Sequence, residues 1–284
     1  MRDTDWSLML ARVSDGLCTP FLGAGASAHA LPLGAQIARR WAVAHGYPLD
    51  DQHDLARVAQ FVAVHQDDAM YPKELLNTEL LAVPAVDVTA PNEPHAVLAA
   101  LPLPLFITTN YDDSMYRALQ AVGKDPHREV CRWNRSPALA QEPSPFADPT
   151  YAPTRASPLV YHLHGRLGLP ESLVLTEDDY LDFLVAITRD PHILPHLIHR
   201  GLAGTSLLFI GYRLADWDFR VIHRGLVAAT EASLRRLSVT VQLTTNDAAR
   251  DYLDRYFGAL KLRVYWGSAA EFASEISDRW NERI

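Results

Sequence analysis

The chain has 284 residues, 48% of them hydrophobic and 21% charged, with a formal net charge of −8. That length and apolar share suit one sizeable α/β core, and the acidic balance argues against a dedicated nucleic-acid binder, which needs a surplus of Lys and Arg on one face. Only Cys18 and Cys131 carry thiols. They point to a reducing compartment rather than a disulfide scaffold, and two thiols cannot build a four-thiolate zinc site. The opening residues lack an apolar run behind a basic start, and no stretch of about 18 apolar residues follows, so neither a signal peptide nor a membrane span is expected. A cytoplasmic location is the expectation.

In chain order, residues 19–22 read as a strand running into Gly23-Ala24-Gly25-Ala26-Ser27, and a helical pattern covers about 34–44. Residues from about 50 to 94 carry helical periodicity without a convincing strand, which predicts a helical insert. Residues 103–109 predict a buried strand and 115–122 a helix. Pro137, Pro143, Pro145, Pro149, Pro153 and Pro158 then remove backbone donors at high density, so about 134–158 is expected to be a long loop. Residues 159–163, 206–210, 239–243 and 262–265 predict further buried strands, each of the last three followed by a helical stretch (217–229 after the first of them). Strand, loop and helix in alternation predict a Rossmann-like, mostly parallel sheet with helices on both faces, forming a single domain over 1–284.

Four polar clusters fall at predicted strand ends, the edge where open parallel sheets bind ligands. Gly23-Ala24-Gly25-Ala26-Ser27 can turn tightly and bring backbone amides near a pyrophosphate. It lacks the third glycine of the common dinucleotide fingerprint, and Trp41, Ala42 and Val43 stand where that fingerprint expects an acidic ribose ligand. Thr108-Thr109-Asn110-Tyr111-Asp112 follows the second strand, and either Asn110 or Asp112 would serve equally as a helix cap. In Tyr161-His162-Leu163-His164-Gly165 strand alternation places His162 and His164 on one face, and His164 is a candidate base. His95 and the trio His192, His196 and His199 compete for such a role on residue type alone. The fourth cluster, Gly211-Tyr212-Arg213-Leu214-Ala215-Asp216, precedes a predicted helix with Asp216 as its cap, whereas Gly204-Thr205-Ser206 precedes its strand and is a decoy.

In this order the four motifs resemble the SIR2-like family of sirtuin relatives over roughly residues 18–245, and most closely the bacterial branch of anti-phage defence effectors, whose asparagine motif reads Thr-Thr-Asn-Tyr-Asp as here. The resemblance implies NAD+ as substrate. It places Asn110 and His164 as the catalytic pair, and Gly23, Ala24, Gly25 and Ser27 as the phosphate loop. Thr108 and Asp112 fall among the nucleotide contacts, Asp112 near the nicotinamide. Gly211 and Tyr212 match a turn that touches the ribose and phosphates, although Arg213 replaces a serine there. The deacylase branch carries a four-cysteine zinc ribbon after its His-Gly motif, and no cysteine follows His164-Gly165. No zinc is expected, and Ala30-Leu31-Pro32-Leu33-Gly34 stands where deacylases carry Asp-Phe-Arg.

The expectation is therefore an NAD+ hydrolase that yields nicotinamide and ADP-ribose in a regulated defence role. The chain leaves little room for a sensor of its own. Assembly is expected with further copies or with a separate sensor subunit, such as a short Argonaute or a HerA-type ATPase, without direct nucleic-acid or membrane binding. The alternatives are a non-enzymatic NAD- or ADP-ribose-binding signalling module and, further behind, an NAD-dependent deacylase. Arg39 and Arg40 are the candidates for a 2′-phosphate contact if NADP+ is used.

Overall fold

The computed structural model describes residues 1–212, 236–243 and 246–283. The predicted helix 217–229, the Asp216 cap and Arg213 lie outside them. Seven strands, β1 (Cys18–Leu22), β2 (Leu105–Thr108), β3 (His127–Val130), β4 (Leu159–His162), β5 (Ser206–Ile210), β6 (Ser238–Gln242) and β7 (Leu262–Trp266), form one sheet. Their order is β3-β4-β2-β1-β5-β6-β7 and every pairing is parallel. This is the predicted Rossmann-like class.

Alternation along the strands divides the core in two. Leu22, Phe106, Val160, Leu208, Ile210 and Val239 face one cluster. It is closed by helices α1 (Asp3–Ser14), α5 (Pro94–Ala100) and α6 (Ser114–Ala121) and by the C-terminal helix Ala269–Asn281. Phe21, Ile107, Tyr161, Leu207 and Phe209 face the other, covered by α8 (Glu177–Arg189), α9 (His196–Gly204) and the helix Asp247–Ala259. Each fully buried Leu, Ile or Phe contributes about 1.5–3 kcal/mol, so covering both faces is what makes an all-parallel sheet stable. Cys18 and Cys131 sit in different clusters, and burial pushes both thiols up to about 12.

Between β1 and β2 the chain builds α2 (Gly34–His45), α3 (Leu55–His65) and α4 (Tyr71–Leu81), which share a third apolar cluster around Trp41, Val58 and Leu76. Arg40 is taken up there by an ion pair to Glu79 at 2.8 Å. In the proline-rich stretch, where a loop was expected, a short helix α7 (Pro137–Gln141) and a 3-10 turn (Pro145–Ala147) form, each with proline in its first turn. A first-turn N–H has no intrahelical partner, so its loss costs little. β3, α1, α8 and α9 have no counterpart in the sequence reading.

The order of strands positions the site. From β1 the chain first builds β2, β3 and β4 on one side, then crosses to β5, β6 and β7 on the other. The next strands after β1 and after β5 therefore lie on opposite sides of this pair, the strand order that places a ligand crevice at the carboxyl edge of such sheets. Among the described residues no helix is long and apolar enough to cross a membrane.

Candidate active site

A cleft of about 1560 Å³ runs along this carboxyl edge. Ala24, Gly25, Ser27, Asn110, Asp112, His164, Gly211 and Tyr212 all line it, and Thr108 does not. Each of the four sequence motifs contributes residues to it, although Gly23 and Gly165, like Thr108, stand behind its wall.

At the β1–β5 junction the glycines serve close packing. A Cβ on Gly25 would lie 2.8 Å from the Gly211 Cα, and one on Gly211, at φ +86°, would lie 2.4 Å from the Gly23 carbonyl oxygen. Gly23 N–H donates to Ile210 at 2.9 Å and Gly25 N–H to Gly211 at 3.0 Å. Both glycine amides are thus used inside the protein, and the loop continues as a 3-10 turn (Ala24–Ala26), with α2 starting only at Gly34. The expected row of free amides at a helix N-terminus is reduced: among the described residues Ala24 N–H has no acceptor. The Ser27 hydroxyl is buried at the cleft wall without a partner among the described residues, a donor and acceptor available to a ligand.

Tyr212 wedges its ring 5.7 Å from Phe21 and 6.3 Å from Phe209. Its hydroxyl donates to the Leu22 carbonyl at 2.9 Å and meets the Thr109 hydroxyl at 2.7 Å. The Leu22 carbonyl also accepts from Thr109 N–H at 2.9 Å. One carbonyl at the end of β1 therefore ties β1, β2 and β5 together.

At the β2–β4 junction the polar groups are deployed differently. The Thr108 hydroxyl accepts from Asn110 N–H at 2.9 Å and donates to the Leu22 carbonyl at 3.3 Å. The Asn110 side chain, 9% exposed, has no hydrogen-bond partner among the described residues and borders the cleft. Asp112 accepts from Ser114 N–H at 2.9 Å while lining the cleft; neither it nor Asn110 is the expected cap of α6, whose cap position is Asp113, with no side-chain cap bond among the described residues.

His164 lies just past β4. The alternation expected to carry His162 and His164 onto one face ends with the strand at His162. His164 turns instead toward α8, edge-on to Phe183 at 5.1 Å and Tyr180 at 5.4 Å. α8 is held there by a capping box between Thr176 and Asp179 and by a 2.6 Å ion pair from Lys73 on α4 to Asp179. Gly165 turns the chain away at φ +88°, where a Cβ would stand 2.3 Å from the Ser172 carbonyl oxygen. Burial lowers the His164 pKa to about 3, and neither ring nitrogen has a hydrogen-bond partner among the described residues. The imidazole is neutral at physiological pH, in the state required of a proton acceptor.

The cleft also gathers Arg117, Arg128 and Arg166, which the sequence reading did not single out. Arg166 pairs with Glu142 at 2.7 Å, and Arg128 lies 4.2 Å over the Tyr116 ring. Nothing in their local sequence separates them from solvated surface charge. His95 is instead buried against Glu93 at 2.6 Å, and neither it nor His192, His196 or His199 lines the cleft.

A SIR2-like domain matches residues 104–263, more than half of the chain. The chain belongs to the SIR2-like family. The matched segment contains Asn110, His164 and Gly211 but not the Gly23–Ser27 loop. The chain is similar to the NAD(+) hydrolase ThsA of Acinetobacter baumannii (strain 532279), at 25% identity over 268 residues, 92% of this chain and 50% of that protein. It is also similar to NAD(+) hydrolase ThsA of Bacillus cereus (strain MSX-D12), at 26% over 192 residues, 67% of this chain and 36% of that protein. A third relative, NAD(+) hydrolase ThsA of Cytobacillus dafuensis, is 33% identical over 135 residues, 46% of this chain and 23% of that protein. The chain spans half or less of the length of these relatives.

Proposed function

We propose that this SIR2-like chain hydrolyses NAD+ to nicotinamide and ADP-ribose, with Asn110 and His164 as the catalytic pair. The observation that carries the reading is the convergence of two buried side chains, each without a hydrogen-bond partner among the described residues, on one cleft along the carboxyl edge of a parallel sheet. The hydrolase names of its relatives support the same substrate.

The chemistry suits such a sparse site. Nicotinamide leaves a pyridinium as a neutral amine, so its departure needs no general acid and no pair of carboxylates of the ordinary glycosidase kind. What remains is to hold the ribose, present water and accept a proton. In this reading the Asn110 amide orients water or the ribose hydroxyls, and His164 accepts a proton from water or a ribose hydroxyl. The Ser27 hydroxyl and the Ala24 amide meet the diphosphate, with Gly23, Gly25, Gly211 and Tyr212 shaping the wall behind it and Asp112 facing the nicotinamide end. Thr108 acts by holding the Asn110 backbone. A positioned base contributes on the order of 10²–10⁴ in rate.

Regulation belongs to the same proposal: a cytoplasmic anti-phage effector, restrained until further copies of the chain or a separate sensor subunit assemble on it. One observation favours a second reading. An imidazole held to about 3 is a weak base, as a non-enzymatic module that only binds NAD+ or ADP-ribose would tolerate. Chromatographic assay of nicotinamide release from NAD+, over a range of protein concentrations, separates the two. Release that rises more steeply than protein concentration supports an assembling hydrolase. ADP-ribose binding with no release at any concentration supports the binding module.

A further inference from the structure

The backbone of Asn110 is held from both sides. Its N–H donates to the Thr108 hydroxyl at 2.9 Å, and its carbonyl lies 3.3 Å from Nδ1 of His162. The last β2–β4 ladder bond runs from Leu163 N–H to the Thr108 carbonyl at 2.8 Å. Past that point the two chains separate, and a side chain takes over the donation that a strand amide would make. A carbonyl only accepts, so Nδ1 of His162 must carry the proton and Nε2 must be the bare nitrogen. That Nε2 is enclosed and has no partner among the described residues.

We infer that His162 is a positioning residue of this site: its Nδ1–H holds the Asn110 carbonyl and so presents the Asn110 amide to the cleft in one orientation. An apolar side chain of similar size would fill the same space without stranding a buried nitrogen. His162 also lines the cleft, and among the described residues its imidazole makes one hydrogen bond, to Asn110. His95 shows the contrast, since its Nδ1 is matched to a carboxylate, Glu93, at the start of α5, away from the cleft. Burial keeps His162 neutral, with its pKa lowered to about 4. Asp112, Arg166 and Arg128 are the charged groups that act on it.

The tautomer is read first, independently of any turnover, because the effect on rate rests on the hydrolase reading and the hydrogen bond does not. In long-range ¹H–¹⁵N spectra of the whole protein at pH 7, His162 is expected as the neutral Nδ1–H form. The Nε2–H form would overturn the inference whatever the enzyme activity. Turnover is read next in three variants. An asparagine amide overlays Nδ1 of histidine, and a glutamine amide overlays Nε2. His162→Asn should keep kcat within about threefold of wild type. His162→Gln and His162→Leu should lower kcat on the order of 10²-fold, the scale of a small misplacement of a reacting group, with KM little changed. In an Asn110→Ala background His162→Leu should add less than about threefold. Gln matching or exceeding Asn, or a folded Leu variant with wild-type kcat, would overturn the inference. A wild-type protein that shows the Nδ1–H form, binds ADP-ribose and releases no nicotinamide at any protein concentration would count against the hydrolase reading and leave the hydrogen bond standing.

Discussion

Two junctions at the same sheet edge use similar residue types to opposite ends. Where β1 meets β5, most polar groups are consumed internally, leaving the Ser27 hydroxyl and the Ala24 amide: the Gly23 and Gly25 amides bond to Ile210 and Gly211, and the Tyr212 hydroxyl bonds to the Leu22 carbonyl. Where β2 meets β4, the backbone is pinned while the Asn110 amide and the His164 ring are buried at the cleft without a partner among the described residues. Buried polar groups are nearly always paired, so two without a partner among the described residues on a shared cleft support the proposal that a ligand acts there. The first junction is scaffold and the second is proposed as chemistry.

The comparison breaks most visibly at Gly211. Alanine there adopts a left-handed backbone and drives a methyl group to 2.4 Å from the Gly23 carbonyl and the Ala26 amide nitrogen. Gly211→Ala is expected to destabilise the fold by roughly 2–5 kcal/mol, read as a lowered urea midpoint. A midpoint within about 0.5 kcal/mol of wild type would show that this junction is not tightly packed.

The second junction has a pH signature. Unfolded histidines protonate near 6.5, whereas burial holds His162 to about 4 and His164 to about 3 in the fold. Both folded-state values are depressed, so their stability is intact above pH 6.5 and is lost progressively as the pH falls toward 4. The slope is at most about 1.4 kcal/mol per pH unit for each ring. Denaturation at pH 7 and pH 5 should therefore show a smaller loss in His164→Ala than in wild type. Equal losses would contradict a buried neutral imidazole at 164.

Tyr212→Phe sharpens the contrast at lower cost. It removes the hydroxyl shared by Leu22 and Thr109 and should cost about 0.5–1.5 kcal/mol in thermal or urea melts while nicotinamide release persists. Loss of turnover with an unchanged melt would move Tyr212 from scaffold to chemistry. Asn110→Ala should have the smallest effect on stability, within about 0.5 kcal/mol, because its amide has no internal bond to lose.

What the sequence revealed follows from where its signals were strong. Ser206–Ile210 carries an unbroken apolar run from Leu207 to Ile210, and it is an interior strand with every residue buried. β3 carries His127 and Arg128 on an exposed sheet edge, so it offers no apolar run to detect. The order of the four motifs located the cleft, because a parallel sheet brings every strand end to one side. Their division of labour was not legible. Gly25 reads the same whether its amide faces a phosphate or the Gly211 carbonyl, and Arg128 reads as a surface charge until β3 places it at the cleft. The turn at Gly165, which sends His164 toward Phe183 and away from the His162 face, depends on contacts with Ser172 that no local pattern encodes.

The most direct test is nicotinamide release from NAD+ by folded Asn110→Ala beside wild type at equal concentration. The account predicts a fall of at least about a hundredfold with the melting temperature unchanged. Turnover within about threefold of wild type would contradict it and return the β2–β4 junction to the scaffold.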